Sequence, residues 1–332
     1  MNDYKERYWN YLMGSVVKTT PENVAEAHRA LFRATMNLPQ AAAWCGMTKR
    51  EIKQTFREYL KYHAPDFEIT KDTTSLSWFQ FMPDLKGYHE FREPFIGGGS
   101  VALEVTKRYP GIQIWVNDLY NPLYNFWSIL RDESQELYEV LKGYKEDYAT
   151  PDLARGLFNL MKHQLNDENT EDFYRAVAFY IINKCSFSGL TESSSFSQQA
   201  SVSNFSMNGI EKIPEYGKLI KDWYITNWSY EDLLTDKKDV FVYLDPPYDI
   251  KDNLYGRKGS MHKGFDHDKF AADCDRHLCP QLVSYNNSNL VKERFQGWTV
   301  GEFAHTYTMR SVGSYTIDQA ERKELVLYNY EN

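Results

Sequence analysis

The rhythm of hydrophobic and polar positions changes twice along this chain. Up to about residue 70 the apolar residues recur at helical spacing. "PENVAEAHRALFRAT" follows two threonines and places Pro21 in its first turn, which favours a helix start there. In "LPQAAAWCGMTKREIKQTFREYLKY", Gly46 stops one helix, and Thr48 with Glu51 forms a capping box that opens the next. From about Tyr88 the pattern becomes short apolar runs alternating with helical stretches. "HEFREPF" leads into a glycine turn, without the regular strand that usually precedes such a turn. Strands are predicted over 112–118, 224–228, 240–245, 281–285, 298–304 and 324–330. This alternation predicts an α/β layer with a largely parallel sheet, and the last two runs are close enough to form an antiparallel hairpin.

Residues 121–222 interrupt the alternation and are too many for a connection, so they are predicted to form an inserted, mostly helical subdomain. Within them "NKCSFSGLTESSSFSQQASVSNFSMNG" is polar and serine-rich, which suits either a surface loop or a binding loop. Four segments follow: 1–72, a helical region; 73–120, the first part of an α/β core; 121–222, the insertion; and 223–332, the rest of the core. In the first segment Ala42, Gly46 and Ile52 fall at the spacings of a helix-turn-helix. Lys49, Arg50, Lys53 and Arg57 would give its second helix a basic side, as a DNA-reading helix needs. An ordinary helical hairpin with a solvated face is the other reading.

Composition narrows the class. The 332 residues are 42% hydrophobic and 25% charged, a globular balance. No run approaches the roughly 18 apolar residues of a membrane helix, and the charged, aromatic start lacks the apolar stretch of a signal peptide. A soluble, cytoplasmic protein is expected. The four cysteines form no C-x-x-C pair, and no His, Cys or carboxylate spacing suggests a metal site. The net charge of −8 weighs against a nucleic-acid binder, although a local basic cleft on an acidic body would escape that argument.

Two stretches carry chemistry. In "EPFIGGGS" (Glu93, Pro94, Phe95, then Gly97, Gly98 and Gly99), consecutive glycines let the backbone approach a ligand at a helix N-terminus. One strand later, Asp118 is placed to accept hydrogen bonds from both hydroxyls of a ribose. Together these predict an adenosine-containing ligand without a pyrophosphate. The second stretch, "FVYLDPPYDI", runs an apolar strand into Asp245, Pro246, Pro247 and Tyr248. The prolines lack amide hydrogens and have a fixed φ, so carbonyls of the turn stay available as acceptors. An aspartate and a carbonyl suit an amino group with two hydrogens, and Tyr248 offers a flat face to the ring bearing it.

The motifs "EPFIGGGS", "NDLYNPLYNFWSILR", "NKCSFSGL", "YLDPPY", "GFDHDKFA", "LVSYNNSN" and "RKELVLYNY" occur in this order from about Glu90 onward. In that order they resemble Dam-type (D12 class) DNA adenine-N6 methyltransferases. The resemblance implies a Rossmann-like S-adenosylmethionine-dependent methyltransferase fold with an inserted target-recognition domain, here behind a helix-turn-helix-like N-terminal region. It implies that Glu93, Pro94, Phe95, Gly97, Gly98, Gly99, Asp118 and Asp245 hold S-adenosylmethionine, and that Asp245, Pro246, Pro247 and Tyr248 are the catalytic turn. It further implies double-stranded DNA as partner, met by Asn183, Lys184, Ser186 and Ser188 of the insertion; Lys49, Arg50 and Lys53 join them only on the helix-turn-helix reading of the first segment. The target adenine would be flipped out of the duplex. One family element is missing: the upstream Gly-Gly-Lys or Gly-Ser-Lys motif, for which Lys71 and Lys86 are the candidate replacements. Two other readings stay open, an RNA adenine methyltransferase and a DNA-binding or assembly protein whose cofactor site has decayed.

Overall fold

The computed structural model describes residues 19–32, 38–62, 79–186, 195–248, 264–304 and 323–331. The chain divides into two compact units, residues 1–73 and 74–332.

In the first unit three helices are described: α1 (Pro21–Phe32), α2 (Leu38–Cys45) and α3 (Lys49–Tyr62). They close on Ala27, Ala41, Ala42, Trp44, Cys45 and Ile52. Gly46 leaves α2 with φ of 65°. The Met47 amide bonds the Ala42 carbonyl at 3.0 Å and the Gly46 amide reaches that of Ala43, the paired bonds of a Schellman ending. Two residues on, Thr48 and Glu51 exchange the expected capping bonds: Thr48 N donates to Glu51 Oε2 at 2.7 Å, and Glu51 N to Thr48 Oγ1 at 3.2 Å. A helix stop and a helix start thus occupy three residues.

The second unit is built on a seven-stranded sheet: β1 (Glu90–Glu93), β2 (Gln113–Asn117), β3 (Tyr224–Thr226), β4 (Val240–Leu244), β5 (Gln281–Asn286), β6 (Thr299–Ala304) and β7 (Lys323–Tyr328). Its order is β3-β2-β1-β4-β5-β7-β6. The β1–β2, β1–β4, β2–β3 and β4–β5 pairs are parallel, whereas β7 runs antiparallel to both neighbours. The predicted final hairpin is therefore present, with β7 slotted between β5 and β6. One expectation is corrected: a short strand, β1, does precede the glycine turn, and it lies inside the sheet, between β2 and β4. With four residues, three of them charged, it carries almost no period of its own; the pairing with β2 and β4 makes it a strand.

Successive strand residues face opposite sides, and both sides are covered. Phe91, Ile114, Val116, Phe241, Tyr243, Leu282 and Val326 face one core. That core includes α4 (Ser100–Arg108), α5 (Asn121–Asp132), α6 (Ser134–Asp147), α7 (Pro151–Asn166) and α8 (Asp172–Cys185). Val240, Val242, Leu244, Val283, Tyr285, Leu325 and Leu327 face the other, against α12 (His267–Arg276) and α13 (Asn289–Arg294). Between them in sequence come α9 (Gln198–Ser203), α10 (Met207–Ile210) and α11 (Ile213–Leu219). The serine-rich stretch is thus partly short helices, and its serines begin them: Ser197 and Ser206 accept from the Ala200 and Gly209 amides. Apart from α9, the helices of 121–222 share one continuous apolar cluster with the sheet.

Candidate active site

The strand order places a topological switch point between β1 and β4, since the chain leaves β1 toward β2 on one side and returns to β4 on the other. Ligands of open α/β sheets sit beyond the strand carboxyl ends at such a point. The glycine turn follows β1 there, Asp118 follows β2, and the Asp245–Tyr248 turn follows β4.

The glycine turn is fixed from several directions. Gly97 and Gly99 take φ of 47° and 68°, the left-handed region. A Cβ on Gly99 would stand 2.6 Å from the Trp127 ring, so that position is closed twice over, by conformation and by space. The Trp127 indole also donates to the Gly97 carbonyl at 3.2 Å. Buried Asn117 holds the other end: its amide nitrogen donates to the carbonyls of Pro94 (3.1 Å) and Trp228 (3.0 Å). A Cβ on Gly97 or Gly98, by contrast, would meet nothing within 4 Å. The turn's outer side is open to a ligand. Phe95 points elsewhere, into an aromatic cluster with Tyr230 (centroids 5.7 Å), Phe265 and Phe270.

Three carboxylates mark this edge. Glu93 is almost fully buried, and its Oε2 accepts from the Ala102 amide at 2.8 Å. Burial lifts its pKa well above the ordinary carboxylate range, the charges of Asp245 and Asp118 add to that, and the Ala102 bond only partly opposes it. Asp118 accepts from the Tyr120 amide at 2.9 Å and the Gly97 amide at 3.2 Å, yet desolvation prevails and raises it to about 6. Asp245 is exposed at the sheet's edge and accepts from the Ser284 hydroxyl, on neighbouring β5. Pro246 is buried, and Pro247 is half-buried. Tyr248 is half-buried and stacks on Tyr285, at 6.2 Å between centroids and 26° between planes. His267 meets the Tyr285 hydroxyl through its Nδ1.

The sequence profile of the D12 class N6 adenine-specific DNA methyltransferases matches residues 74–309, most of the chain. The chain belongs to that family. Among its relatives is the type II methyltransferase M1.LlaDCHI of Lactococcus lactis subsp. cremoris, 23% identical over 74% of this chain and 88% of the relative. Another is the type II methyltransferase M.CviBI of Paramecium bursaria Chlorella virus NC1A, 22% identical over 72% and 89%. A third is the DNA N-6-adenine-methyltransferase of Escherichia phage P1, 30% identical over 34% of this chain but only 14% of the phage protein.

This D12-class chain distributes its other candidate residues unevenly. Asn183 and Lys184 end α8, where Lys184 lies over the Tyr180 ring at 5.7 Å and burial lowers its pKa. Ser186 is buried: its hydroxyl donates to the Asn183 carbonyl and its backbone bridges antiparallel to Phe196. Ser188 and Lys71 lie outside the described residues. Lys86 sits just before the amino end of β1, across the sheet from the glycine turn, paired with Asp84 at 3.7 Å. It does not replace the missing Gly-Lys motif, because it is at the wrong end of the strand. Lys49, Arg50 and Lys53 are exposed on α3, in the first unit.

Sequence reasoning missed Ser284, Tyr285, Asn117 and Trp127. Ser284 and Tyr285 stand in "LVSYNNSN", at the carboxyl half of a strand neighbouring β4, and that position was the available signal. Among the described residues no cluster of His, Cys, Asp and Glu is fit for a metal ion, and no helix is long and apolar enough to cross a membrane.

Proposed function

We propose that the protein methylates N6 of a specific, flipped-out adenine in double-stranded DNA, with S-adenosylmethionine as donor. The observation that carries this reading is the meeting of Glu93, Asp118 and Asp245 beside the open glycine turn at the sheet's switch point. Three carboxylates at one edge, with the charges of Asp245 and Asp118 raising the proton affinity of Glu93, leave a site short of positive charge, which a sulfonium and an ammonium group would supply. Glu93, the backbone of Pro94–Gly99 and Asp118 would hold the cofactor, with Asp118 at its ribose. When bound, S-adenosylmethionine supplies an electrophilic methyl group.

The protein's own part is to prepare the amine. The lone pair of an adenine amino group is delocalised into the ring. Hydrogen bonds from that group to the Asp245 carboxylate and the Pro246 carbonyl localise it and stabilise the positive charge that develops on nitrogen. Pro247 keeps the turn rigid, and Tyr248, backed by Tyr285, stacks on the extruded base. No covalent enzyme intermediate is needed.

The DNA would be met by a target-recognition region formed from residues 121–222, through Asn183, Lys184, Ser186 and Ser188, and by α3 acting as a recognition helix through Lys49, Arg50 and Lys53. Residues 1–72 form the helical region in this reading, and 73–120 with 223–332 the catalytic core. Such an enzyme works in the cytoplasm of a bacterial or phage-infected cell. Asp245→Ala is expected to abolish methyl transfer to duplex DNA while binding S-adenosylmethionine with near-parental affinity by calorimetry. Retained transfer would sink the assignment. Transfer to RNA in place of DNA would change the substrate.

A further inference from the structure

Ser284 has no part in the chemistry described so far, yet it is fully buried and its hydroxyl bonds the carboxylate of Asp245. The contact follows from register. Leu244 of β4 lies opposite Val283 of β5, so the next positions, 245 and 284, are opposite as well. Both continue the alternation of Tyr243 and Leu282, toward the core formed with α4 to α8. A polar side chain in the middle of "LVSY" costs desolvation and contributes little to packing, so its retained function is the bond it makes.

We propose that Ser284 is a positioning residue for Asp245, donating to its Oδ1 so that the carboxylate keeps both its plane and its ionised state. Asp245 shares its edge with Glu93 and Asp118: its charge and that of Asp118 add to the burial that raises the pKa of Glu93. A hydroxyl donor favours the charged acceptor, and such bonds are roughly twice as strong as those between neutral partners. Ionised, Asp245 stabilises the positive charge that grows on the amine; protonated, it cannot. The inference rests on the reading of Asp245 as the amine's acceptor.

The test compares the parent with Ser284→Ala and with Ser284→Cys, which keeps the bulk but is a weak donor. For both variants kcat is expected to fall roughly 10- to 100-fold, the range for groups that orient a reacting group from behind. The KM for DNA and the cofactor affinity should hold within about twofold. The acid limb of kcat against pH should move up by about one unit, with part of the lost rate recovered at higher pH. Melting temperatures confirm that the variants fold. An unchanged kcat overturns the proposal, and so does a kcat lowered equally at every pH, because loss of mere packing would not move the acid limb. Asp245→Ala is assayed in parallel: if it stays active, the reading of the site falls. If it is dead while Ser284→Ala behaves as the parent, only the role of Ser284 falls.

Discussion

At Asp118 two backbone amides and burial pull in opposite directions, and burial wins. The consequence has a definite sign. An aspartate raised from 3.8 to about 6 binds its proton more tightly folded than unfolded. Its stabilising effect is therefore complete below 3.8 and lost as pH rises to about 6. The parent should lose stability relative to Asp118→Asn across that window, as denaturant titrations at several pH values will show; a flat difference would refute the raised pKa. Residues of this kind were only partly legible. Asp118 and Asp245 declared themselves because each ends an apolar strand, and the two prolines made the second unmistakable. Ser284 did not, because a lone serine in a strand has no signature until the register sets it opposite an acid. Ser186 was legible as a polar residue near a loop, but not as a buried one whose hydroxyl is already engaged.

Among elements, periodicity located the strands to within a residue or two, because buried runs such as "VFVYL" and "QLVSY" stand out against their polar flanks. Two things stayed hidden. The strand before the glycine turn is too short and too charged to show a period, and the placement of β7 between β5 and β6 depends on long-range pairing. The helical segment 121–222 has its own close fits. On α11, a Cβ at Gly217 would lie 2.2 Å from Ser134 Oγ and 2.7 Å from the Leu130 carbonyl. Alanine improves helix propensity over glycine by about 1 kcal/mol, whereas overpacking against backbone costs about 1–3 kcal/mol. Gly217→Ala is therefore expected to lower stability by up to about 2 kcal/mol in denaturant titration. A gain would mean that α11 can back away from the junction of α5 and α6.

For the whole molecule the puzzle is charge: a DNA methyltransferase with a net charge of −8. Acidity over the body is compatible with DNA binding if cations are gathered where phosphates lie, and Lys49, Arg50 and Lys53 on one exposed helix side are such a group. With all three replaced by alanine, DNA affinity should fall about equally for every sequence. The slope of log affinity against log salt should become shallower by about 0.9 per lost phosphate contact, read by fluorescence anisotropy. An unchanged slope would leave α3 as part of a plain helical hairpin. The sequence could raise this question but not answer it, since a capping box and a basic side are equally good surface chemistry.

The alternation of side chains along neighbouring strands has an evolutionary corollary. Glu93, Asp118, Asp245 and Ser284 each continue the parity of a core residue two positions earlier: Phe91, Val116, Tyr243 and Leu282. What the lineage must preserve is therefore the count of residues as well as their kinds. One inserted or deleted residue in β1, β2, β4 or β5 would turn the group behind it to the opposite side of the sheet, however conservative the inserted residue. Drift by substitution is open to these strands, and drift in length is not, so tolerated insertions and deletions should gather in the connections between them.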